Sequence, residues 1–475
     1  MSTKNMTRSN SSPSARARAL AVLLAAQKSV EPIDEILDRL WADEAADSRD
    51  RAFAMELIYG VLRRQETLDW RLGPVLKKPL LRLPLVVQMI LRLGAYQVLY
   101  MDRVPSSAAV NESVMLAKRY AAKLGRDWGG LVNAVLRALA LAPEPALPED
   151  DRRSAQCLAV RYAVPSWLCQ RWIAHDGAEA AEAACKAVSA IPFLTLRVNP
   201  LRTTRGELLA RLREAGVLAR PTSLSPVGIV IETGMPVTAL PGFAEGWWYV
   251  EDEAAQLIPL ILDPHPGERI LDVCAAPGGK TTHLAELMAD RGQIVAVDRQ
   301  AARLELVEEN ARRLGLTIIT PCAGDARKLG SPTSDGTGDA SIGPRGTFDR
   351  LLVDAPCSGI GVLRRHPDAK WKKDTGMFAR HHTLQRAILD HASAFLRPGG
   401  VLVYSTCSTE PEETEAVMAE FCQEHPTFTR ESVEPWLPAP ARPFVTPAGA
   451  LSTMGNTVGM DGFYAARLRK AAKLP

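Results

Sequence analysis

The sequence predicts a multidomain chain: an all-α bundle, then a small α+β domain, then an α/β domain with a doubly wound parallel sheet. Three observations predict this order. Apolar residues recur at three- and four-residue spacing as far as residue 141, and a Pro- and acid-rich stretch follows. Beyond residue 250, short apolar runs alternate with helical segments. A chain of 475 residues accommodates about two to four domains.

The first part, residues 15–141, is predicted to be helical throughout. Helical spacing runs through Ala15–Val30, Arg51–Leu80 and Leu83–Met101, and no strand-like alternation interrupts it. This pattern is typical of a helical bundle. Residues 1–14 are a polar leader that we expect to be disordered. They lack the apolar core and the cleavage site of a signal peptide, so a signal peptide is not expected.

The middle of the chain is predicted to contain a short linker and a small domain. Residues 142–150 are rich in Pro and acid, which indicates a linker. Residues 151–250 begin as helix and continue into short strands at Phe193–Val198, Gly228–Glu232 and Trp247–Val250. A small α+β domain fits this succession.

Residues 251–475 are predicted to form the α/β domain. Four short apolar runs read as strands that are buried on both faces, namely Arg269–Val273, Gln293–Val297, Arg350–Asp354 and Val401–Ser405. Helical segments separate these runs, which is typical of βαβ units in a parallel sheet. The Gly/Ser/Asp-rich segment Gly330–Thr347 is predicted to be a mobile insertion.

Composition excludes several classes of protein. Hydrophobic residues make up 47% and charged residues 23%, as in ordinary globular proteins. No run of about 18 apolar residues supports a membrane span. The 8 cysteines include no C-x-x-C pair, so neither a zinc cluster nor a disulfide framework is expected. We therefore expect a protein of the reducing cytoplasm that holds no metal.

The positive charge lies at the N-terminal end. Residues 1–140 carry 21 Lys+Arg against 14 Asp+Glu, whereas the remainder carries 36 against 40. An excess of this kind indicates a polyanionic partner. A solvated helix face explains it equally well at this point.

A Gly-rich turn follows the first predicted strand of the α/β domain and precedes a helix. Its glycines allow a ligand to approach the backbone, and the helix presents free N–H groups. Neither the spacing of a phosphate-binding P-loop nor the dinucleotide fingerprint G-x-G-x-x-G is present. The turn consists of Cys274, Ala275, Ala276, Pro277, Gly278, Gly279 and Lys280.

Two acidic residues follow the turn at the ends of later apolar runs. Asp298 lies about 20 residues past the glycines, where an acid commonly binds ribose hydroxyls. Ribose binding without a pyrophosphate cradle indicates S-adenosylmethionine, the alternative being a turn that only connects strand and helix. Asp325 is a candidate adenine contact, although an isolated Asp here is more typical of a turn or cap.

Two cysteines follow two further strands of the predicted sheet. Cys357 comes shortly after Asp354, and Cys407 comes shortly after Ser405. Ligands bind outside the carboxyl ends of strands in this fold, and neighbouring strands lie about 4.8 Å apart. If the two strands are neighbours, both thiols face one crevice. A single free cysteine is usually a small buried hydrophobe, but a pair at matching strand ends favours catalysis.

Paired thiols suit one methyl transfer in particular. Cytosine C5 is too weak a nucleophile to accept a methyl group unaided, whereas addition of a thiolate to C6 makes C5 enamine-like. Asp354 is placed to supply or relay a proton at N3, and a second cysteine can remove the C5 proton. The sequence therefore predicts methylation of cytosine C5 through a covalent adduct.

Several sequence blocks resemble those of the RNA 5-methylcytosine methyltransferases. They are CAAPGGKTTHL (274–284), VDAPCSGIGVLRRHPDAKW (353–371), YSTCSTEPEETEAV (404–417), VEDEAAQL (250–257) and DGFYAARL (461–468). Residues 15–141 resemble the antitermination factor NusB, notably in LRLGAYQVLYMDRVPSSAAVNESV (91–114) and LVNAVLRAL (131–139). A fusion of the two is similar to the bacterial 16S ribosomal RNA cytosine-C5 methyltransferases of the RsmB (Sun, Fmu) type.

The resemblance implies a Rossmann-like class I methyltransferase domain after a NusB-like RNA-binding domain. It implies that Cys407 is the nucleophile and Cys357 the base that permits release. It further implies 16S ribosomal RNA as the substrate, and we expect a monomer. The residues implied for binding of S-adenosylmethionine are the turn 274–280 with Asp298, Asp325 and Asp354.

Cations mixed with an aromatic residue follow the Cys357 loop and are candidates for RNA contacts, since the target base must leave its stack to reach a thiol. A solvated loop is the alternative. These candidates are Arg364, Arg365, His366, Lys370 and Trp371. On the helical part the candidates are Arg63, Arg64, Lys77, Lys78 and Arg82, for which a solvated face is equally consistent.

Two other functions compete with methylation of ribosomal RNA. A tRNA cytosine methylase would carry the same catalytic motifs, because these motifs do not specify the RNA. A noncatalytic RNA-binding assembly factor could be built on the helical part, but the intact pair of cysteines argues against it.

Overall fold

A computed structural model describes residues 14–29, 31–41, 48–149, 151–330, 347–455 and 459–472. Residues 1–13 of the predicted leader and 331–346 of the predicted insertion lie outside the described residues. The chain divides into two compact units, Met1–Ser189 with His366–Lys372, and Ala190–Arg365 with Lys373–Pro475. The boundary between the units falls within residues 151–250: the two helices before residue 190 belong to the first unit, whereas the strands and the helix Arg205–Glu214 belong to the second.

The first unit is helical over its described residues. Its helices are α1 (Ala15–Ala26), α2 (Ile33–Trp41), α3 (Ser48–Arg63), α4 (Gln65–Leu72), α5 (Leu85–Tyr100), α6 (Ser106–Arg119), α7 (Ala121–Leu124), α8 (Gly129–Leu141), α9 (Ala155–Tyr162) and α10 (Ser166–Ser189). Ser14 caps α1 by accepting the Ala17 N–H, and α10 bends at Gly177, whose φ is 82°. The predicted helical bundle is confirmed.

The core of this unit follows from the helical spacing of its apolar residues. Leu20 and Leu23 of α1 are fully buried, as are residues of α3 and α5 three or four positions apart. The Thr67 hydroxyl of α4 donates to the Val160 carbonyl of α9 at 2.6 Å. That bond joins the bundle to the helices that follow the predicted linker.

A small antiparallel sheet begins the second unit. Its order is β2-β3-β1-β4, and one helix, α11, follows β1. The elements are β1 (Leu194–Val198), α11 (Arg205–Glu214), β2 (Ala219–Pro221), β3 (Gly228–Ile231) and β4 (Trp248–Val250). Three of these strands agree with the predicted ones within a residue. The short β2, which ends in proline, was not predicted.

The large sheet has the order β10-β12-β9-β8-β5-β6-β7, with β11 paired to β12. Strands β5 to β9 are parallel, whereas β10, β11 and β12 pair antiparallel. The strands are β5 (Arg269–Val273), β6 (Gln293–Asp298), β7 (Ile319–Ala323), β8 (Phe348–Asp354), β9 (Leu396–Thr406), β10 (Phe428–Glu431), β11 (Leu451–Ser452) and β12 (Tyr464–Lys470). The predicted parallel sheet is confirmed, with β8 and β9 as neighbours.

Helices cover both faces of this sheet. Ile270 packs into a core shared with α12, α13 and α14, and Leu271 packs on the opposite face with α15 and α16. Burial on both faces explains why the strands read as continuous apolar runs. The helices are α12 (Glu253–Leu262), α13 (Gly279–Leu287), α14 (Ala301–Leu314), α15 (Met377–Ser393) and α16 (Glu415–Glu424). Across the described ranges of both units, no helix has the length and apolarity that a membrane span requires.

Candidate active site

A cavity of about 340 Å³ lies at the carboxyl ends of the parallel strands. The fold places ligands at this edge, beside the point where the strand order reverses between β5 and β8. Predicted residues in its wall are Cys274, Ala276, Asp298, Asp325, Asp354, Cys357 and Cys407. A smaller cavity of about 180 Å³ shares part of this wall and is lined by the predicted Ala275, Pro277, Gly279 and Lys280.

The turn between β5 and α13 requires both of its glycines. Gly278 has a φ of 100°, and a Cβ there would lie 3.3 Å from the Cα of Val307. A Cβ on Gly279 would lie 3.1 Å from a carboxylate oxygen of Glu251. A larger residue at either position would push the turn away from α14 or from Glu251, against which it packs. With glycine at both positions, the turn stays in place beside the cavities.

A buried ion cluster supports this turn from below. Arg197 of β1 donates to Glu251 at 2.8 Å, to Glu286 at 2.8 Å and to the Gly279 carbonyl at 2.6 Å. The Arg197 side chain is fully buried, and burial raises the pKa of the Glu286 carboxyl to about 7. Sequence reasoning missed this cluster, because its members lie far apart along the chain.

Asp298 is held by backbone groups at the end of β6. Its carboxylate accepts the N–H of Ala276 at 3.2 Å and the N–H of Gln300 at 2.9 Å. Arg303, which was not predicted, lines the same cavity and donates to the Ala276 carbonyl at 2.9 Å. The carboxylate is therefore fixed beside the turn, and its remaining lone pairs are available to a ligand.

Asp325 is held by a side chain instead. Arg327 donates to both of its carboxylate oxygens, at 2.9 and 2.5 Å. These hydrogen bonds lower the pKa of the Asp325 carboxyl to about 2. The residue lies in the cavity wall as predicted, and its contact with adenine stays a prediction.

A second acid near the turn, Asp272 of β5, was not predicted. One carboxylate oxygen accepts the Thr281 hydroxyl at 2.6 Å, and the other has no hydrogen-bond partner among the described residues. Burial raises the pKa of this carboxyl to about 7. It lines the smaller cavity together with Lys280.

Asp354 links the turn to the thiol pair. It accepts the Lys280 ammonium at 2.7 Å and the Ser405 hydroxyl at 2.7 Å. Burial opposes the charge on Lys280, but Asp354, Glu251 and then Cys407 outweigh it and raise the pKa of Lys280. A cation is therefore paired with the Asp354 carboxylate at the edge of the thiol pair.

The two predicted catalytic thiols are in contact. The Sγ atoms of Cys357 and Cys407 lie 3.2 Å apart, because β8 and β9 are adjacent and both end at the cavity. The pKa of the Cys357 thiol is raised well above its usual range, first by its hydrogen bond to Cys407 and then by burial. This environment favours Cys357 as the protonated partner of the pair.

The first two candidates for RNA contacts occupy a structural position in the second unit. Arg364 donates to Asp252 at 2.9 Å and forms a short ion pair with Asp461; Arg365 pairs with the same two carboxylates at 2.6 Å. Arg364 is buried and Arg365 is three-quarters buried. A contact of either with phosphate stays a prediction, and it would have to compete with these ion pairs.

The other three candidates belong to the first unit. Lys370 is buried, with its ammonium 3.4 Å from the Ala163 carbonyl, and burial lowers its pKa to about 7. The Trp371 indole N–H donates to the Leu62 carbonyl at 3.0 Å. His366 and Trp371 are both partly exposed, and His366 lies 3.6 Å from Asp34. The burial of Lys370 favours packing over a contact with RNA, whereas stacking of Trp371 on a base stays a prediction.

On the helical bundle, three of the candidate cations point into solvent. Lys77, Lys78 and Arg82 are exposed in the segment between α4 and α5. Arg64 instead lies over the ring of Tyr100, at 4.2 Å from its centroid. The exposed three are therefore available to a polyanion, which remains a prediction.

Fold and cavity together define a class of enzyme. A mostly parallel sheet has a glycine turn after β5, an acid held by the backbone after β6, and no cradle for a pyrophosphate among the described residues. The Asp298 carboxylate in the wall of the larger cavity, with the glycine turn beside it, fits the nucleoside of S-adenosylmethionine. These features define a Rossmann-like methyltransferase.

Comparison with known proteins identifies the family. Residues 259–469 match the model of the 16S rRNA methyltransferase RsmB/F, residues 13–141 match the NusB family, and residues 164–238 match the RsmF/B-like ferredoxin-like domain. The probable ribosomal RNA small subunit methyltransferase B of Synechocystis is 38% identical over 460 residues, which cover 96% of this chain and 100% of that protein. The ribosomal RNA small subunit methyltransferase B of Pseudomonas putida is 38% identical and covers 96% and 98%.

Solved structures agree with this assignment. The crystal structure of PH0851 superposes with a TM-score of 0.76 at 27% identity, over 96% of this chain and 98% of that one. A methyltransferase homologue from Pyrococcus horikoshii gives a TM-score of 0.55 at 26% identity, over 68% and 100%. The chain belongs to the RsmB/F family of ribosomal RNA methyltransferases, and its methyl donor is S-adenosylmethionine.

Proposed function

We propose that this enzyme methylates C5 of one cytosine in 16S ribosomal RNA through a covalent bond between Cys407 and C6 of the base. The observation that carries the proposal is the 3.2 Å separation of two thiols in the wall of the cofactor cavity. The names of the relatives support the small-subunit RNA as substrate. We propose a cytoplasmic monomer that needs no metal ion.

The first half of the reaction uses Cys407, Asp354 and Lys280. The Cys407 thiolate adds to C6, and the C5=C6 electrons move through C4 to N3. Asp354 donates a proton to N3, and the Lys280 ammonium in contact with it supplies the replacement proton. S-adenosylmethionine, when bound, supplies the methyl group that C5 takes.

The second half of the reaction uses Cys357. Its proton is held by the hydrogen bond to Cys407, so bond formation between Cys407 and carbon removes the main cause of its raised pKa. Cys357 can then lose this proton to water and take the proton from C5. The C5–H electrons restore C5=C6, N3 returns its proton, and Cys407 leaves as a thiolate. Atoms and charges balance over the cycle.

A denaturing gel with labelled 16S RNA tests these roles. Cys357→Ser keeps the attacking sulfur but removes the base, so a shifted band that depends on cofactor should survive denaturation. Cys407→Ser and the double variant should show no such band. A stable adduct with Cys407→Ser instead would reverse the two roles. Full activity of both single variants would contradict the covalent mechanism.

The RNA itself needs a separate measurement. Release of tritium from C5-labelled RNA reports methyl transfer, and it should be faster on 16S RNA than on tRNA at equal concentration. Bisulfite mapping of ribosomal RNA from a deletion strain should show the loss of one modified cytosine. Preference for tRNA, or no tritium release from either RNA, would contradict the proposed substrate.

A further inference from the structure

A buried carboxylate lies between the two loops that carry the cysteines. Glu413 has no solvent exposure, and it stands in the turn immediately before α16. It was not among the predicted site residues. Burying a carboxylate is costly unless donors satisfy it, so its partners indicate why it is there.

The strong donors to this carboxylate belong to the residue that follows each cysteine. Ser358, next to Cys357, donates its N–H to Oε1 at 2.6 Å and its hydroxyl, in a short bond, to Oε2. Ser408, next to Cys407, donates its hydroxyl to the same Oε2 at 2.5 Å. The two serine oxygens are themselves 3.2 Å apart. One side chain thus binds both catalytic loops.

Glu413 is held firmly on its own side. The Tyr404 hydroxyl donates to the Glu413 carbonyl at 2.7 Å. Gln385 of α15 places its amide 3.4 Å from Oε1 and donates to the Pro356 carbonyl at 3.0 Å. Because Glu413 is fixed and accepts hydrogen bonds from both loops, its position determines the positions of Ser358 and Ser408.

We propose that Glu413 is a positioning residue that sets the spacing of Cys357 and Cys407 by holding the serine after each. The inference rests on the proposed covalent mechanism, in which one thiol is bonded to C6 while the other takes a proton from the adjacent C5. The distance between the sulfurs must therefore match the distance between neighbouring ring atoms and their substituents. A displacement of about 1 Å can cost 10²-fold in rate.

Glu413→Gln tests the inference, because it preserves volume while replacing one acceptor oxygen with an N–H₂ donor that faces hydroxyls. The matched control is Glu415→Gln, which makes the same change two residues later. Glu415 binds Arg430 at 2.6 Å and Tyr464 at 2.9 Å, and in the described part of the chain neither serine contacts it. Ser408→Ala, which removes one hydroxyl and keeps the charge, is a second, milder variant.

The readout is the decay of the covalent adduct after a chase with unlabelled RNA, measured with cofactor affinity and thermal unfolding. Glu413→Gln should slow adduct decay by about 10- to 100-fold while cofactor affinity changes less than about twofold. Ser408→Ala should slow decay by a smaller factor, and Glu415→Gln should leave it unchanged. A purely structural role would lower the unfolding temperature of Glu413→Gln and leave its decay rate equal to that of Glu415→Gln.

The same gel separates failure of this inference from failure of the proposed function. If Cys357→Ser traps an adduct but Glu413→Gln and Ser408→Ala release it at the wild-type rate, the positioning role is overturned and the covalent mechanism stands. If neither Cys357→Ser nor Cys407→Ser traps an adduct, both are overturned. If Glu413→Gln does not fold, the decay rate of Ser408→Ala against the Glu415→Gln control decides.

Discussion

The cofactor side and the thiol side of the crevice are built by different means. On the cofactor side, Gly278 and Gly279 form the turn and two backbone N–H groups hold Asp298, and the Arg197 side chain binds the Gly279 carbonyl. On the thiol side, side chains from separate loops hold one another, as in the contact of Cys357 with Cys407. A geometry held by the backbone depends on the local fold, whereas one held by side chains depends on contacts between distant segments.

This difference indicates whether defects on each side should change cofactor affinity or reaction rate. A backbone cradle binds a ligand whose shape does not change, so defects there should appear in cofactor affinity. In the proposed mechanism the two thiols act in successive steps and need a spacing that serves both, so defects there should appear in the rate. The following predictions test this division between affinity and rate.

The largest effect is expected for Cys407→Ser on the thiol side. Removing a covalent nucleophile slows enzymes by about 10⁴-fold or more, so single-turnover methylation of 16S RNA should fall at least that far. Calorimetry should show unchanged affinity for S-adenosylmethionine. A large loss of affinity in this variant would show that the two sides are not separable.

The next effect concerns the pH dependence of stability on the cofactor side. The pKa of Asp272 is raised from 3.8 to about 7, so the folded state binds its proton more tightly than the unfolded state. The stabilisation is complete below about pH 4 and is lost as the pH rises through 7, in total about 4 kcal/mol. Asp272→Asn should remove this loss.

Denaturant unfolding of both proteins between pH 4.5 and 8 measures the effect. The unfolding free energy of the wild type, relative to Asp272→Asn, should fall as the pH rises. A difference that stays constant with pH would mean that Asp272 is ionised in the folded protein throughout this range.

A smaller effect is expected for Asp298→Ala. A hydrogen bond to a charged group contributes about 1.5–3 kcal/mol, which corresponds to roughly 10- to 150-fold weaker binding of S-adenosylmethionine. Titration calorimetry measures this directly. At saturating cofactor the rate should change far less than for Cys407→Ser, and an equal loss of rate would erase the distinction between the two sides.

The smallest effect is expected outside the crevice, on the helical bundle. Neutralising Lys77, Lys78 and Arg82 should weaken RNA binding and reduce the salt slope by about 0.7 for each phosphate that these cations neutralise in the wild type. Lys186, exposed on α10 in the same unit, is the matched control. RNA binding is measured at several salt concentrations. The affinity of the variant for S-adenosylmethionine should be unchanged. A slope equal to that of the Lys186→Ala control would exclude these cations from the RNA interface.

Local patterns in the sequence predicted the fold and much of the site. The strands ending at Asp298, Asp354 and Ser405 were recognisable because both faces of the sheet are buried, which requires unbroken apolar runs. Strand ends in such a sheet meet at one edge, so the sequence placed Cys357 and Cys407 at that edge, and the structure showed that their strands are neighbours.

The sequence by itself determined which chemistry the crevice holds, because the residue types and their places at strand ends are local properties. Only the tertiary structure decided which polar groups are buried in internal contacts and which remain accessible to ligands. Arg364 and Lys370 read as surface cations, yet long-range packing buries both. Glu413 was not singled out in the sequence, and folding brings it to Ser358, 55 residues away along the chain, whose N–H it accepts. Which distant residues contact each other depends on which segments pack together. The spacing of residues along the sequence does not contain this information.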